Sequence, residues 1–254
     1  MNKSVVMFLI ACGVFAGSAR QASAQGATWA DRGYINVGWG VESGSSAMTD
    51  SRTSSIYEET ATITSSSTFT SGSLFDVGAG VRVFRNLTVG VAYHQEQNDT
   101  EGSLGGSIPS PVFFNRPRTL SETVTGLDRK EQATHLQFGW VIPFGQKLDV
   151  LVSAGPSFFR VTQEVVSDVR IGEQGGAFTS VVATPTLIER KKSQTGYNAG
   201  VDATYILWQN DSIRLGAGGF VRFTKADVDI DMLNSSQPTE AGGVQFGFGA
   251  RLRF

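Results

Sequence analysis

From Gly33 onward the chain alternates apolar and polar residues with a period of two, and the partner of the apolar residue is very often glycine. A period of two belongs to the strand, whose successive side chains point to opposite faces. Ile35, Val37, Trp39 and Val41 alternate with Asn36, Gly38, Gly40 and Glu42. Phe75, Val77, Ala79, Val81 and Val83 alternate with Asp76, Gly78, Gly80 and Arg82. The same pattern recurs in Leu87–His94, His135–Ile142, Asp149–Phe158, Tyr197–Tyr205, Ile213–Phe223 and Val244–Phe254, which makes eight strands. A half-buried strand of a soluble sandwich also alternates. Its solvent face, however, would carry Lys, Glu and Thr rather than glycine. A narrow closed barrel needs small residues inside, with a few charges that pair across the lumen.

The connections support closure. Long ones, at about residues 43–73, 96–132, 163–194 and 225–242, alternate strictly with short ones near Arg85-Asn86, Pro143-Phe144-Gly145-Gln146 and Trp208-Gln209-Asn210-Asp211. Four long and three short connections are what an eight-stranded meander requires. Counted as three residues at 85–87, five at 143–147 and five at 208–212, each short turn is odd, which keeps one face outward. The fold expected is therefore all-β: a closed antiparallel eight-stranded up-and-down transmembrane β-barrel. Trp140, Phe144, Tyr205, Trp208 and Phe254 fall near the short turns, and Tyr93, Phe158, Phe223 and Phe246 at the opposite strand ends. That is the placement of two interfacial girdles.

The N-terminus reads as an export signal. Met1-Asn2-Lys3 is basic, Ser4 to Phe15 is apolar, and Ala22-Ser23-Ala24 supplies the small-residue cleavage pattern. Cleavage between Ala24 and Gln25 divides the chain into a signal peptide, residues 1–24, and a barrel domain, residues 25–254. An uncleaved anchor would be too short and is broken by Gly13, Gly17, Ser18 and Arg20; a lipobox reading of Leu9-Ile10-Ala11-Cys12 leaves a very short apolar stretch. Export without Cys12, the one cysteine, excludes disulfides and thiol chemistry. Loss of Lys3 and Arg20 from the 21 basic residues leaves 19 against 23 acidic, a net charge of −4 with no basic stripe. Nucleic acid is not the partner of such a chain.

The chain ends on Phe254, closing an apolar row that includes Phe246, Phe248 and Leu252. With this row the sequence resembles the bacterial outer-membrane β-barrels, closest in size to the small OmpA/OmpX-type barrels, over the mature chain from about Gly33. The resemblance implies that Phe246, Phe248, Leu252 and Phe254 form the signal read by the barrel assembly machinery. It also implies a bacterial outer membrane as the location, among its lipids and lipopolysaccharide, with four long extracellular loops. A following periplasmic domain of the OmpA kind is missing, so peptidoglycan anchoring is not implied, and no catalytic residue is carried over.

Inward polar residues are the first place to look for a mechanism. Asp76, Asp149 and Asp202 can meet Arg82, Arg214, Arg222, Arg251 and Arg253 across a narrow lumen. Such a network is either a gate for small solutes or a structural plug, and the small interior of eight strands favours the plug. His94 and His135 point inward by parity, near Glu96 and Gln137, and read as solvated or ion-paired. Neither has a serine two or four residues away on its strand, as a lipid-modifying Ser/His site would need. Asp, Glu and His could also hold a metal, but no ligand spacing is visible. No catalytic, cofactor or metal site is therefore expected.

In the loops, the Ser/Thr-rich residues 51–73 suit a β-hairpin rising above the barrel. Ile108-Pro109-Ser110-Pro111-Val112-Phe113-Phe114 is apolar, and either binds a partner or folds over the barrel mouth. Gly38-Trp39-Gly40 and Gly216-Ala217-Gly218 lie within strands and are not nucleotide loops. The function expected is structural or surface-interacting, through a loop ligand, without turnover chemistry. The alternatives are a narrow channel and, less favoured, an enzyme acting on lipid A.

Overall fold

The computed structural model describes residues 29–69, 72–231 and 236–254, so the expected cleavage point at Ala24–Gln25 lies outside the described residues. The strands are β1 (Gly33–Ser43), β2 (Ser46–Ile56), β3 (Glu59–Phe69), β4 (Gly72–Phe84), β5 (Leu87–Ile108), β6 (Arg118–Phe144), β7 (Leu148–Gln174), β8 (Ser180–Gln209), β9 (Arg214–Asp231), β10 (Ser236–Ala241) and β11 (Val244–Arg253). Eight of them form a ring in the order β1-β4-β5-β6-β7-β8-β9-β11, every pair antiparallel. The ring closes because β1 also pairs β11, in unbroken register from Tyr34↔Arg253 to Ser43↔Val244. Paired Gly33 and Phe254 backbones extend that seam by a further step.

The three short turns sit at one end. Arg85 takes a positive φ of 48° in the two-residue turn before β5, and Gly145 one of 74° before β7. The Asn210 side chain accepts the Ser212 and Ile213 amides before β9. Nearby, register shifts between Arg82 and Phe84 and between Ile206 and Trp208 turn two successive residues outward. Val83 with Phe84, and Leu207 with Trp208, are therefore all exposed. The second bulge brings Trp208 into the same outward row as Tyr205, which strict alternation would not do.

The outer wall of the ring is an apolar belt that includes Ile35, Trp39, Val81, Val91, Phe138, Val152, Val201, Leu215, Val221 and Phe248. Trp140, Phe144, Trp208 and Phe254 rim it at the short-turn end, and Phe75, Phe158, Tyr197 and Phe246 at the other. No helix among the described residues is long and apolar enough to cross a membrane; the strands of this belt are what meets lipid.

The long connections are largely β-structure. β6 and β7 each run for 27 residues and β8 for 30. At a rise of about 3.3 Å per residue and a tilt of about 40°, 27 residues reach roughly 70 Å, against an apolar band of about 25 Å. Beyond the upper aromatic row the alternation inverts. On β9, Val221 and Phe223 face out and Arg222 and Thr224 in; further along, Asp227 and Asp229 are exposed and Ala226, Val228 and Ile230 buried. On β7 the inversion falls at Phe158-Phe159, the first exposed and the second buried. The β2–β3 hairpin joins this extension by pairing Thr62–Ser67 with Gly102–Ser107 of β5, and β10 pairs β9. Their inward residues form one apolar core, among them Met48, Ile63, Phe69, Leu104, Leu120, Val161, Val165 and Val228.

Inside the ring, glycine makes room for two large rings. A Cβ at Gly80 or Gly90 would lie 2.6 or 2.5 Å from the Tyr34 ring or its hydroxyl, and one at Gly247 would run into the Phe220 ring. The Gly247→Val variant is expected to lose about 1–3 kcal/mol of stability, as overpacked interiors do. Gly105→Ala, where a Cβ meets nothing within 4 Å, is expected to change stability little. Urea unfolding of the two variants in detergent micelles makes the comparison.

Candidate functional site in the barrel interior

The interior is layered along the barrel axis. At the short-turn end Trp29, Tyr34, Val141 and Leu151 pack together as an apolar stopper. Trp29 donates its backbone N–H to Asn86 Oδ1 at 3.0 Å and its indole N–H to Asp149 Oδ2 at 3.3 Å. Arg214 bridges Asp31 and, at 3.2 Å, Asp149. Arg82 donates to the Trp29 carbonyl. That contact differs from the expectation of an acid partner, because the segment before β1 folds back into the lumen and offers a nearer acceptor.

Above this stopper, Arg251 holds Asp202 at 2.6 Å and Arg253 lies 3.8 Å from the same carboxylate. Arg253 also donates to Asn36 Oδ1 at 2.6 Å and Thr204 Oγ1 at 2.5 Å. Next comes Arg222, 2.6 Å from Asp76, with its guanidinium over the Phe220 ring. The void among Asn36, Asp76, Leu151, Asp202, Phe220 and Arg222 measures only about 20 Å³, the scale of a single water. The residues singled out from sequence thus fall into three pairs, Asp76–Arg222, Asp202–Arg251 and Asp149–Arg214, with Arg253 sharing Asp202 and Arg82 apart. Phe246, Phe248 and Phe254 of the C-terminal row face outward on the belt, with Leu252 half-buried beside them.

Of the two readings of the histidines, the solvated one does not hold, since both are fully buried; His94 lies 3.9 Å from the Glu42 and Glu131 carboxylates. His94 Nδ1 and His135 Nε2 are 2.7 Å apart with their rings stacked, and His135 Nδ1 lies 2.7 Å from Ser157 Oγ. Asn198 donates to the same oxygen at 3.0 Å. The serine comes from β7, directly opposite His135 in the β6–β7 register. A search along one strand cannot find a partner that arrives from its neighbour.

A further cluster escaped the sequence reading. Glu42 on β1, His94 on β5 and Glu131 on β6 bring one donor atom each within 4.8 Å of one another. Gln245 donates to Glu42 Oε2 at 2.6 Å, and Arg129 lies 3.4 Å from Glu131 Oε2. Glu42, Glu96, Arg129 and Glu131 line a cavity of about 310 Å³ at the level where the alternation inverts, and His94 lies fully buried just outside its lining. The only sequence signal was acidic residues at inward positions next to an inward histidine.

A closed antiparallel ring, an apolar belt between two aromatic rims and a polar, paired interior define a membrane-spanning β-barrel of the outer-membrane type. No family model and no curated protein matches the sequence. Among solved structures the chain is similar to Neisserial surface protein A, at 14% identity over 87% of this chain and 97% of that one, with a TM-score of 0.38. It is also similar to the outer membrane protein OprG from Pseudomonas aeruginosa, at 11% identity over 88% and 96%, TM-score 0.38. A third is the outer membrane protease OmpT from Escherichia coli, at 10% identity over 91% and 97%, TM-score 0.31.

Burial sets the weight of each lumen pair, since removing one partner strands the other charge. Arg222→Ala leaves Asp76 alone and is expected to cost about 3–5 kcal/mol, whereas replacing both, as in Arg222→Met with Asp76→Leu, restores most of the loss. Urea midpoints of the two variants in the same detergent measure the difference.

Proposed function

We propose that this outer-membrane β-barrel is a closed scaffold that acts through its extracellular β-extension, as a surface-interaction protein without turnover chemistry. The observation that carries the reading is the blocked axis: stopper, ion pairs around a void of about 20 Å³, the acidic chamber and an apolar core follow one another. A solute would have to break buried ion pairs and then cross an apolar layer. The Ser157–His135 pair is sealed inside the ring, away from the lipid-facing wall where an acyl substrate would lie. Lipid and lipopolysaccharide surround the belt, and the chain reaches the membrane through the barrel assembly machinery.

The extension is built to hold its tips together. Arg118 ion-pairs with Glu173 and donates to the carbonyls of Pro109 at 2.7 Å and Phe178 at 3.1 Å. Tyr57 donates to Glu173 at 3.2 Å, and the Asn115 amide to Glu59 at 2.8 Å. Three hairpin tips are thereby tied to one another. Between them the loop after β5 leaves Val112, Phe113 and Phe114 exposed, an apolar element for contact with an extracellular ligand. The expectation left this stretch to bind a partner or to fold over the mouth; Ile108, Pro109 and Ser110 are buried, and Val112, Phe113 and Phe114 are the exposed part.

Two measurements follow. The refolded full-length protein in a planar bilayer is expected to be silent once insertion is confirmed. Discrete conductance steps that change in Arg222→Ala or Asp202→Ala would replace the closed reading with a pore. The tips are expected to loosen in acid. The hydrogen bond and charge of Arg118 hold the Glu173 carboxyl below its ordinary range. The tie is therefore intact above the ordinary carboxylate value and is lost as pH falls through the depressed one. Exchange protection at the tips, taken relative to the intrinsic rate at each pH, should fall over that interval in the wild type and be low at every pH in Glu173→Gln.

A further inference from the structure

The interior offers one cluster that the closed-scaffold reading leaves unused. We propose that Glu42, His94 and Glu131 bind a divalent transition-metal cation, with Glu96 as an additional carboxylate at the rim of the same chamber.

The geometry is that of ligands around a shared centre. His94 Nε2 lies 3.9 Å from Glu42 Oε2 and 3.9 Å from Glu131 Oε1. That is too long for a hydrogen bond. It is the separation of two atoms that each contact one cation at about 2.0–2.2 Å across a wide angle. Glu131 Oε1 has no hydrogen-bond partner although the residue is only 2% exposed. A buried carboxylate oxygen in that condition is costly, and this one is aimed at the imidazole and the second carboxylate.

Charge points the same way. Glu42, Glu96, Glu131 and Glu240 line the cavity with a single guanidinium, Arg129, and Glu240 is neutralised by Lys225 at 2.7 Å. The next arginine inward, Arg222, is held by Asp76. Fully ionised, Glu42, Glu96 and Glu131 against one guanidinium leave two negative charges, which one divalent cation neutralises while displacing the proton of the Glu42–Glu96 hydrogen bond. Arg129 is itself fixed, donating to the Glu240 carbonyl at 2.8 Å, so it cannot swing down to neutralise all three.

The second histidine and the serine then acquire a role. A metal-ligating imidazole donates its other N–H to a fixed acceptor, which sets its tautomer. With His94 Nδ1–H donating to His135 Nε2, and His135 Nδ1–H donating to Ser157 Oγ, His94 Nε2 is left as the ligand atom toward Glu42 and Glu131, and the Gln245 amide, 3.4 Å from it, is the donor an ion would displace. His135 and Ser157 are thus positioning residues. The lining includes exposed Ser43, Gly44, Ser45 and Glu240, so a hydrated ion can enter from outside the barrel. An imidazole beside carboxylates suits Zn²⁺, and Mn²⁺ through the carboxylates, over Ca²⁺, which takes oxygen ligands throughout. Bound there, the ion joins β1, β5 and β6 at the level of the outer membrane surface.

The test loads refolded full-length protein separately with Zn²⁺, Mn²⁺ or Ca²⁺, removes free ion on a desalting column and counts metal per chain. Competition against a chromophoric chelator then gives affinities. Expected are one Zn²⁺ or Mn²⁺ per chain, affinity at least a hundredfold lower in Glu131→Gln and in His94→Gln, and a roughly tenfold loss in Ser157→Ala. Heat-modifiable gel mobility identifies the folded variants. Glu42→Gln stands in for either ligand variant that does not fold. Metal below stoichiometry in the folded wild type, unchanged affinity in the folded ligand variants, or retention of Ca²⁺ in preference to Zn²⁺ and Mn²⁺ would each overturn the proposal.

Discussion

The seam between β1 and β11 is the constraint on which the rest depends. In hydrocarbon an unpaired backbone N–H or C=O costs several kcal/mol, and an open sheet would present two rows of them. Ten consecutive residue pairs, from Tyr34↔Arg253 to Ser43↔Val244, remove both edges at once. Closing only eight strands leaves an interior just wide enough for side chains. The glycines of the inner face follow from that width. Tyr34 and Phe220 occupy the space that Gly80, Gly90 and Gly247 leave free. The arginines that remain inside must each find a carboxylate or a carbonyl, because a buried unpaired charge is far more costly than a paired one.

The second organising feature is the change of solvent along the same strands. Within the membrane the outside is apolar and the inside polar; above it the outside meets water and the inside is an apolar core. One strand serves both regimes by reversing which of its two faces is apolar, as β9 does between Phe223 and Ala226. The acidic chamber sits at this reversal. It belongs neither to the ion-pair lattice below, where each acid has its arginine, nor to the apolar core above. A single arginine facing Glu42, Glu96 and Glu131 is the local result.

The ring was legible in the sequence because its signal is purely local. Alternation, short turns and a glycine-rich face are all read within ten residues. Apart from residues 51–73, expected as a hairpin, the extension was read as loops for the same reason. Its strands continue those of the ring, but in Arg222-Phe223-Thr224-Lys225-Ala226-Asp227 the polar and apolar phases exchange, and a pattern followed from below ends there. The inward direction of Asp76, Asp202, Arg222 and Arg251 follows from parity, while their pairing does not. Which arginine meets which acid is set by shear around the ring, and Arg82 meets the Trp29 carbonyl because residues before β1 turn back inside. His135 with Ser157, and Glu42 with Glu131, are contacts between strands. They become readable only once register is known.

Closure of the ring is the claim from which filled lumen, glycine face and ion pairs all follow. Amide hydrogen exchange of the protein in micelles tests it most directly. Amides along the seam, at Trp39 and Val41 on β1 and Phe248 and Ala250 on β11, are compared with those of the β4–β5 hairpin around Val77 and Val91. The closed ring predicts equal, slow exchange in both places, since neither is an edge. Seam amides exchanging orders of magnitude faster than the hairpin would mean that the sheet is open, and would contradict the account.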